Sequence, residues 1–405
     1  MSKLPLLLLL SFVALGVSEA AEKTYRLTVN AGDWDRKDTV VSFSLPAWQS
    51  GASVKFLQGE GRTIPLQIDG HGHASFVEPN LKKGNSKTYD ELTPANARLS
   101  SDAMIQVNRE GRVLKISSAG HPILQYQAEP SELPRPNIKP IFRRGGYLHP
   151  LYTPSGKIIT DDYPTNHLHH HGVWFTWTKT EFEGRGPDFW NMGEGKGTVE
   201  FVALDRTWSG PVHGGFQTRH RFVDLTSGQP KPVLNETWDV KIFQRGEQRA
   251  YWMFDLTSTQ ECATAEALKL PNYYYGGLGF RGREEWNGAD KTFYLTSDGE
   301  TDRVKGNTTR GRWCHISGQV DGSRTGIAVL GHPDNFRAPQ PMRLHPTEPF
   351  FCFAPSQLGD WEIAPGKPYV SRFRFIVRDG PSDAAELDRL WNDFAHPPEV
   401  KIEER

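Results

Sequence analysis

Histidines are concentrated in one stretch of the sequence, between residues 147 and 190. Five of the fourteen histidines lie there: His149, His167, His169, His170 and His171. Imidazole titrates near neutral pH and can act as an acid, a base or a metal ligand. The cluster therefore predicts a functional site, although a single histidine is more often a structural hydrogen-bonding residue.

Acid/base chemistry is the first hypothesis for this cluster. In a lyase, hydrolase or epimerase that acts on a sugar, a histidine transfers a proton at a ring carbon or oxygen. A second histidine or a tyrosine then acts as its partner. We predict His169 and His170 as the proton-transfer residues, with His149 and His332 closing the cleft. This hypothesis requires no cofactor.

A divalent-metal site is the alternative hypothesis. If residues 167–171 are extended, the three odd-numbered histidines point to one face of the strand and the remaining one to the other. A His-x-His pair on a strand offers two nitrogens to a metal, and a third ligand comes from elsewhere. The predicted ligand set is His167, His169 and His332, with His149 as the other source of a third ligand. No His-Glu-x-x-His or Cys-x-x-Cys pattern accompanies it.

A second segment carries aromatic and basic residues that suit a sugar. Residues 273–281 join three tyrosines to a glycine-rich turn and Arg281. The segment is not a phosphate loop, because the Lys-Ser/Thr pair of a Walker motif is missing. Aromatic faces cover the C–H surfaces of sugar rings, and an arginine binds a carboxylate through two hydrogen bonds. Tyr274, Tyr275 and Arg281 are therefore predicted substrate-binding residues. The alternative is a tight β-turn with its tyrosines packed at a sheet edge.

Two other functions remain open for the same residues. A glycosidase needs two opposed carboxylates at a defined separation. Asp162, Asp188 and Glu236 are candidates for such a pair, but the sequence does not place them opposite each other. A non-catalytic sugar-binding protein would use the aromatic residues and Arg281, with the histidines only as hydrogen-bond partners.

Most of the predicted secondary structure that positions these segments is β-strand. Alternating and β-branched runs recur along the chain, separated by Gly, Pro, Asn and Asp. They lie at residues 25–29, 39–45, 53–57, 112–117, 173–177, 198–204, 216–225, 238–243, 327–330 and 370–377. The spacing predicts an all-β fold, a large antiparallel β-sandwich, with one short C-terminal helix. That helix begins near Asp383 and has Leu387, Leu390, Trp391 and Phe394 on one face.

The chain divides into four predicted regions. These are a signal peptide (1–20), an N-terminal β region (21–128), a main β-sandwich that carries the site (129–380), and a C-terminal helix and tail (381–405). The boundary is predicted at residues 129–140, because four prolines there cannot all join a central sheet. The alternative is a long crossover inside one large sandwich.

The N-terminus has the features of an export signal. Lys3 precedes an apolar run at residues 4–17, and Ser18-Glu19-Ala20 places small residues where a signal peptidase reads. No later stretch approaches the roughly 20 apolar residues of a transmembrane helix. We expect an exported, periplasmic or extracellular protein without stable membrane insertion.

Charge and cysteine content exclude other classes. The signal carries one charge of each sign, so the mature chain keeps the formal net charge of −1, which gives no reason to expect a nucleic-acid partner. Cys262, Cys314 and Cys352 allow at most one disulfide within the chain. The sequence therefore predicts a packed core and not a disulfide scaffold.

Taken in order, the segments resemble the PmoA-like family of secreted bacterial proteins, labelled "methane oxygenase PmoA". The family's Tyr-x-His-Pro-Leu-Tyr-Thr-Pro-x-Gly and Thr-x-Asp-x-Pro segments are intact at residues 147–156 and 160–164. Its His-Pro-His-His-Arg-Gly segment differs here by Leu168 and His171, and its His-Gly-Gly turn differs by Tyr275. The resemblance covers residues 31–377.

The resemblance implies a fold and a ligand class. Family members are similar in pattern to galactose-mutarotase-like supersandwiches and tend to accompany sugar-degrading proteins. It therefore implies a supersandwich-like fold and a glycan or sugar-derived small molecule as the partner. The family's Asp-Phe-Trp and His-Pro-x-Asn-x-Arg motifs add four substrate-binding residues: Asp188, Trp190, Asn335 and Arg337.

The N-terminal pattern gives a direct prediction. Protein purified from an exporting host should begin at Ala21 or Glu22, because the peptidase cuts after the small residues at the end of the signal. N-terminal sequencing of the secreted or periplasmic fraction measures this. Protein that keeps Met1 in a membrane fraction would contradict export.

Overall fold

A computed structural model describes residues 24–46, 51–92, 104–244 and 250–405. The fold is mostly antiparallel β with one C-terminal helix, as predicted. The predicted signal peptide lies outside the described residues.

The strands run in chain order as follows. The N-terminal strands are β1 (Tyr25–Asn30), β2 (Arg36–Ser44), β3 (Ser53–Gly59), β4 (Arg62–Ile68), β5 (His73–Leu81) and β6 (Ser86–Leu92). Next come β7 (Ile105–Glu110), β8 (Val113–Ser118), β9 (His121–Gln127), β10 (Tyr147–Leu151), β11 (Val173–Thr176), β12 (Gly197–Trp208), β13 (His213–Asp224), β14 (Lys231–Phe243) and β15 (Tyr251–Cys262). The last are β16 (Leu268–Leu270), β17 (Gly277–Arg281), β18 (Phe293–Thr296), β19 (Trp313–Val320), β20 (Ser323–Gly331), β21 (Met342–Leu344), β22 (Phe350–Phe353), β23 (Trp361–Ile363), β24 (Tyr369–Asp379) and β25 (Glu399–Glu404).

The strands form three large sheets and one small one. The first sheet has the order β2-β5-β4-β3-β6-β1-β25. The second has the order β21-β22-β17-β11-β10-β9-β8-β7, and the third β12-β13-β14-β15-β24-β20-β19-β18. Strands β16 and β23 pair separately. Helical segments are α1 (Arg303–Gly306), α2 (Ala384–Ala395) and short 3₁₀ turns at Pro140–Phe142, Met192–Glu194, Glu284–Trp286 and Pro355–Leu358.

The second and third sheets pack face to face around the main core. Phe353 of β22 stacks on Phe373 of β24 with ring centroids 5.6 Å apart. Both faces of strand β11 are buried. Successive side chains of a strand point to opposite faces, so neighbouring residues of β11 pack into different clusters. Phe175 points into this core, whereas Trp174 joins a smaller aromatic cluster on the outer face of the second sheet. That outer face carries the candidate site. The three cysteines are free.

Sheet membership divides the chain at a different place from the predicted boundary. The proline-rich stretch 129–140 links β9 to β10, which are neighbours in the second sheet. The change from the first sheet to the second falls between β6 and β7. The predicted N-terminal region 21–128 therefore contains three strands of the main sandwich, because backbone pairing continues from β9 to β10.

Helix α2 joins the first sheet to the outer face of the third. The Asp383 carboxylate caps it by accepting from the backbone N–H of Ala385, while Glu386 binds Arg378. Leu387 and Leu390 are buried against the third sheet, as predicted from their spacing. Neither this helix nor any other helix of the described residues has the length and apolar character needed to cross a membrane.

A buried ion pair fixes the helix to the first sheet. Arg36 donates from Nη1 to Asp393 Oδ1 at 3.0 Å, and both side chains are almost fully buried. Thr39 and Arg389 donate to the other carboxylate oxygen. Burying a charge is costly unless it is paired. The pair therefore makes the position of the helix and that of β2 depend on each other.

Replacing Asp393 by Ala should lower the free energy of unfolding by about 3–5 kcal/mol, because it leaves Arg36 buried without a counter-ion. Asp90→Ala is the matched control. It removes an ion pair in which the Arg26 and Asp90 side chains are 35% and 42% exposed, so the loss of stability should be much smaller. Denaturant unfolding measures both values. Similar losses in the two variants would contradict this role for Asp393.

Candidate functional site

The histidine run forms tight turns and not the extended strand that the metal hypothesis assumed. The backbone N–H of His167 donates to the carbonyl of Pro164, and that of His170 donates to the carbonyl of His167. The rings of His167 and His170 consequently stack, with centroids 4.7 Å apart and planes 14° from parallel. His171 points the opposite way, and its Nδ1 lies 2.7 Å from the Asp162 carboxylate. The expectation that odd-numbered histidines share a face is wrong.

Gly172 lets this turn pack closely on β10. Its φ is +45°, and a Cβ at this position would lie 2.1 Å from the carbonyl oxygen of Leu148. A side chain would therefore clash with the backbone of the neighbouring strand. The backbone N–H of Arg281 also donates to the Gly172 carbonyl at 2.7 Å. The turn is held between β10 and β17.

A pocket of about 170 Å³ opens beside the turn. Six of its lining residues were predicted from the sequence: His167, His169, His170, Trp190, Tyr274 and Tyr275. Four others were not: Asn191, Arg343, His345 and Phe350. We call this the histidine pocket. The structure therefore brings together residues that lie up to 183 positions apart, from His167 to Phe350.

Aromatic rings form one side of the histidine pocket. Trp190 is buried, and the Tyr275 ring meets it edge-on with centroids 5.3 Å apart. His170 lies between His167 and Phe350, whose ring is 5.1 Å away and nearly parallel. Tyr274 is 49% exposed at the rim. The pocket thus offers flat apolar faces to a ligand.

Asp188 shapes the pocket without lining it. Its Oδ1 accepts from the backbone N–H groups of Trp190 and Asn191, and its Oδ2 accepts from the Asn191 amide at 2.7 Å. The same amide donates to the hydroxyl of Tyr275 at 3.0 Å. Asp188 therefore orients Asn191 and does not contact the pocket, contrary to its predicted substrate-binding role.

Arg281 is a buried structural residue and not the free substrate clamp predicted. Its side chain is 0% exposed, and Nη1 donates to Glu348 at 2.6 Å. Nη2 donates to the side-chain oxygens of Asn166 and Asn287. Its Nε has no partner among the described residues. With both terminal nitrogens engaged, the guanidinium positions Glu348 beneath the histidines.

Burial sets the protonation states in the pocket. It lowers the pKa of His169 to about 3, with further repulsion from His167 and His171, and lowers that of His170 well below its usual range. Burial also lowers the pKa of His345 to about 4. These three imidazoles are neutral at pH 7.

Glu348, which contacts His167, is ionised, in contrast to these neutral imidazoles. Burial opposes its ionisation, but contacts with His167 and Arg281 outweigh that effect and lower its pKa to about 2. Nδ1 of His345 accepts from the backbone N–H of Glu348 at 3.1 Å, so the His345 proton is on Nε2. An ionised carboxylate therefore lies against His167, beside a pocket that is lined by neutral imidazoles.

His149 belongs to a separate buried cluster. Its Nδ1 lies 2.9 Å from the Thr160 hydroxyl, and burial lowers its pKa. His171 and Tyr147 both bind the Asp162 carboxylate nearby. His149 does not line the histidine pocket, so its predicted role in closing the cleft is not supported.

His332 also lies elsewhere. It lines a different pocket of about 180 Å³ with Asn335, beside Trp391 of α2. Asn335 pairs through its side-chain amide with the backbone of Arg372. Arg337 donates to backbone carbonyls of the 355–360 segment. These three predicted site residues hold loops together, away from the histidine pocket.

The structure does not bring the three predicted metal ligands together, but it does bring together another set of three potential ligands. His332 is in the wrong pocket to join His167 and His169. Instead, His167, His170 and Glu348 place one potential ligand atom each within 4.8 Å of one another. The turn geometry explains the difference, because positions three apart in a turn share a side.

The carboxylates considered for a glycosidase pair are not at the pocket either. Glu236 is fully buried in the sandwich core, where Oε2 lies 2.9 Å from Nδ1 of His220 and Oε1 accepts from Ser258 and Gln260. Neither Asp162 nor Asp188 lines the pocket. Their positions do not support a two-carboxylate mechanism there.

The residues that sequence reasoning missed come mainly from one segment. His345, Glu348 and Phe350 lie in a short run with two prolines, the same loop-like composition that marked the other site segments. This loop-like composition was the signal in the sequence that could have identified them as site residues. No spacing rule connects the run to the histidine turn, because β22 brings it there by pairing with β17.

The fold and the pocket define a β-sandwich protein with a small histidine- and aromatic-lined pocket on the outer face of one sheet. The chain belongs to a family of unknown function, DUF6807, whose sequence model matches residues 113–392. The match runs from β8 into α2 and includes the pocket. Among curated proteins, none matches the chain.

Two solved structures are similar to the chain over part of their length. An alpha-mannosidase from Enterococcus faecalis V583 shares 10% identity at a TM-score of 0.41, over 95% of this chain and 46% of that one. A protein in the glycosyl hydrolase family 38 from Enterococcus faecalis shares 7% identity at a TM-score of 0.38, over 96% and 48%. This chain spans about half their length. At these TM-scores the similarity carries no functional conclusion.

Replacing Arg281 by Met should lower the free energy of unfolding by about 3–5 kcal/mol, because Glu348 loses its buried partner. Arg283→Met is the matched control on the same segment. Its partner Glu285 is 54% exposed, so the cost should be about 1 kcal/mol or less. Denaturant unfolding measures the free energy of unfolding of both variants. A stable Arg281→Met protein with weakened ligand binding would instead favour the clamp role.

Proposed function

We propose that the protein is an exported carbohydrate-active enzyme that performs histidine acid/base chemistry on a glycan or sugar derivative in the histidine pocket. The observation that carries the proposal is the meeting of aromatic faces and neutral imidazoles around one small cavity. Lyase, hydrolase and epimerase reactions all fit this description. The resemblance to PmoA-like proteins, with its sugar-degrading context, is part of the same proposal.

The pocket walls suit a single sugar ring. The volume of the histidine pocket is below the roughly 300–1,000 Å³ of pockets that enclose drug-sized ligands. The pocket therefore fits one sugar unit or the end of a sugar chain. Trp190 and Tyr275 can cover C–H faces of the ring. The Asn191 amide and the His345 Nε2–H supply hydrogen-bond donors for hydroxyls.

The rim favours an acidic sugar derivative. The Arg343 guanidinium lies over the ring of Tyr274, 5.3 Å from its centroid, and Nη1 binds Asn307. An arginine is suited to a carboxylate. A bound anion would also favour the protonated form of a nearby imidazole, which compensates for the low pKa of His169.

His169 is the proposed proton acceptor, because it lines the pocket as a neutral imidazole. The hydroxyl of Tyr275, held by Asn191, is the proposed partner that donates its own proton to the sugar, and proton exchange with solvent then restores both groups. His170, which the sequence also suggested, is packed between rings and contributes mainly to the wall.

A screen of purified protein against neutral and acidic oligosaccharides tests the proposal. We expect a product from an acidic substrate, and His169→Ala should lower the rate about 100-fold or more while the protein stays folded. His332→Ala is the control, because that histidine lies in another pocket, and its rate should be unchanged.

The screen also separates the alternatives. Binding without any product would support a non-catalytic sugar-binding protein. Full activity of His169→Ala would exclude His169 as the proton-transfer residue. Activity that is lost in chelator and restored by a metal would favour the metal-dependent alternative, for which the cluster of His167, His170 and Glu348 is the supporting observation.

A further inference from the structure

We infer that His167, His170 and Glu348 form a binding site for a divalent transition-metal ion beside the histidine pocket. One potential ligand atom from each lies within 4.8 Å of the others. Nδ1 of His167 is 3.1 Å from Oε2 of Glu348. Two ligand atoms of one tetrahedral zinc ion lie about 3.4 Å apart, because zinc–nitrogen bonds are about 2.1 Å. The two imidazoles are stacked nearly parallel, so their rings must turn toward each other to bind a common ion.

An orphaned nitrogen supports the inference. Nδ1 of His170 is buried and has no hydrogen-bond partner among the described residues. Nδ1 of His167, in contrast, already faces Oε2 of Glu348 at 3.1 Å. Buried polar atoms without partners are costly and rare. A metal ion bound by this set would give the His170 imidazole a partner.

Neighbouring residues orient Glu348, as they commonly orient the ligands of a metal ion. Ligating carboxylates are normally fixed by hydrogen bonds from neighbouring groups. Glu348 accepts from Arg281 at Oε2 and from Asn166 at Oε1, which sets its direction. The ring of His170 packs between His167 and Phe350. The carboxylate is therefore oriented before an ion binds, whereas the two imidazoles must rotate.

The ligand types select the class of ion. Calcium and magnesium prefer oxygen ligands, whereas imidazole suits zinc, copper, iron and nickel. Two histidines and one carboxylate are the protein ligands of many catalytic zinc and non-haem iron sites, and they leave positions for water or substrate. Water on such an ion loses a proton near neutral pH. The ion would therefore add a base to the pocket beside His169.

Zinc titration of the full chain tests the inference. The protein is stripped with a chelator, dialysed and titrated with ZnCl₂ by calorimetry. We expect one saturable site per chain. His170→Phe keeps the stacked ring but removes both nitrogens, so it should weaken zinc binding at least about tenfold. His167→Phe, at a position one-third exposed, should do the same with less risk to the core.

His332→Phe is the matched control, because that histidine lies in another pocket. It should bind zinc like the parent protein. A parent protein without a saturable site, or an equal loss in the control, would overturn the inference. The test needs no substrate, so zinc binding without sugar turnover would count against the proposed function alone. Sugar turnover without zinc binding would count against the metal site alone.

Discussion

The candidate site depends on how one buried positive charge is compensated. Arg281 stands at the end of β17 with no exposure to solvent, and an unpaired guanidinium there would be very costly. Its partners Glu348, Asn166 and Asn287 come from three different segments. Satisfying this one group therefore fixes those segments relative to β17. The histidine turn and the Glu348 carboxylate beside it take their positions from this arrangement.

Many of the polar residues that look functional in the sequence serve the shape of loops. Asp188, Asn335 and Arg337 all bind backbone groups, and their hydrogen-bonding capacity is largely used within the protein. Loops need such contacts because their backbone groups have no ladder partners. A family motif can therefore mark a loop that must keep its shape. The residues that face a ligand lie beside the motif residues, as Asn191 does beside Asp188.

The sequence predicted the fold better than the site. Alternating apolar residues located most of the long strands, and the spacing of Leu387 and Leu390 located α2, because these patterns report burial on one face. The histidine turn was missed because its shape depends on contacts with the Pro164 and Leu148 carbonyls, which no local periodicity encodes. Glu348 was missed because a strand pairing distant in sequence brings it to the histidines.

The pairing of β25 with β1 has a consequence for the order of folding. Residues 399–404 complete the sheet that residues 25–30 help to build, so this edge closes only after almost the whole described chain is available. Contacts between distant segments form slowly, because chain entropy is lost before the contact stabilises anything. Until then β1 presents an unpaired edge on which another chain could add a strand. The C-terminal strand covers that edge late and becomes the new edge of the sheet, where its charged residues disfavour pairing with another chain.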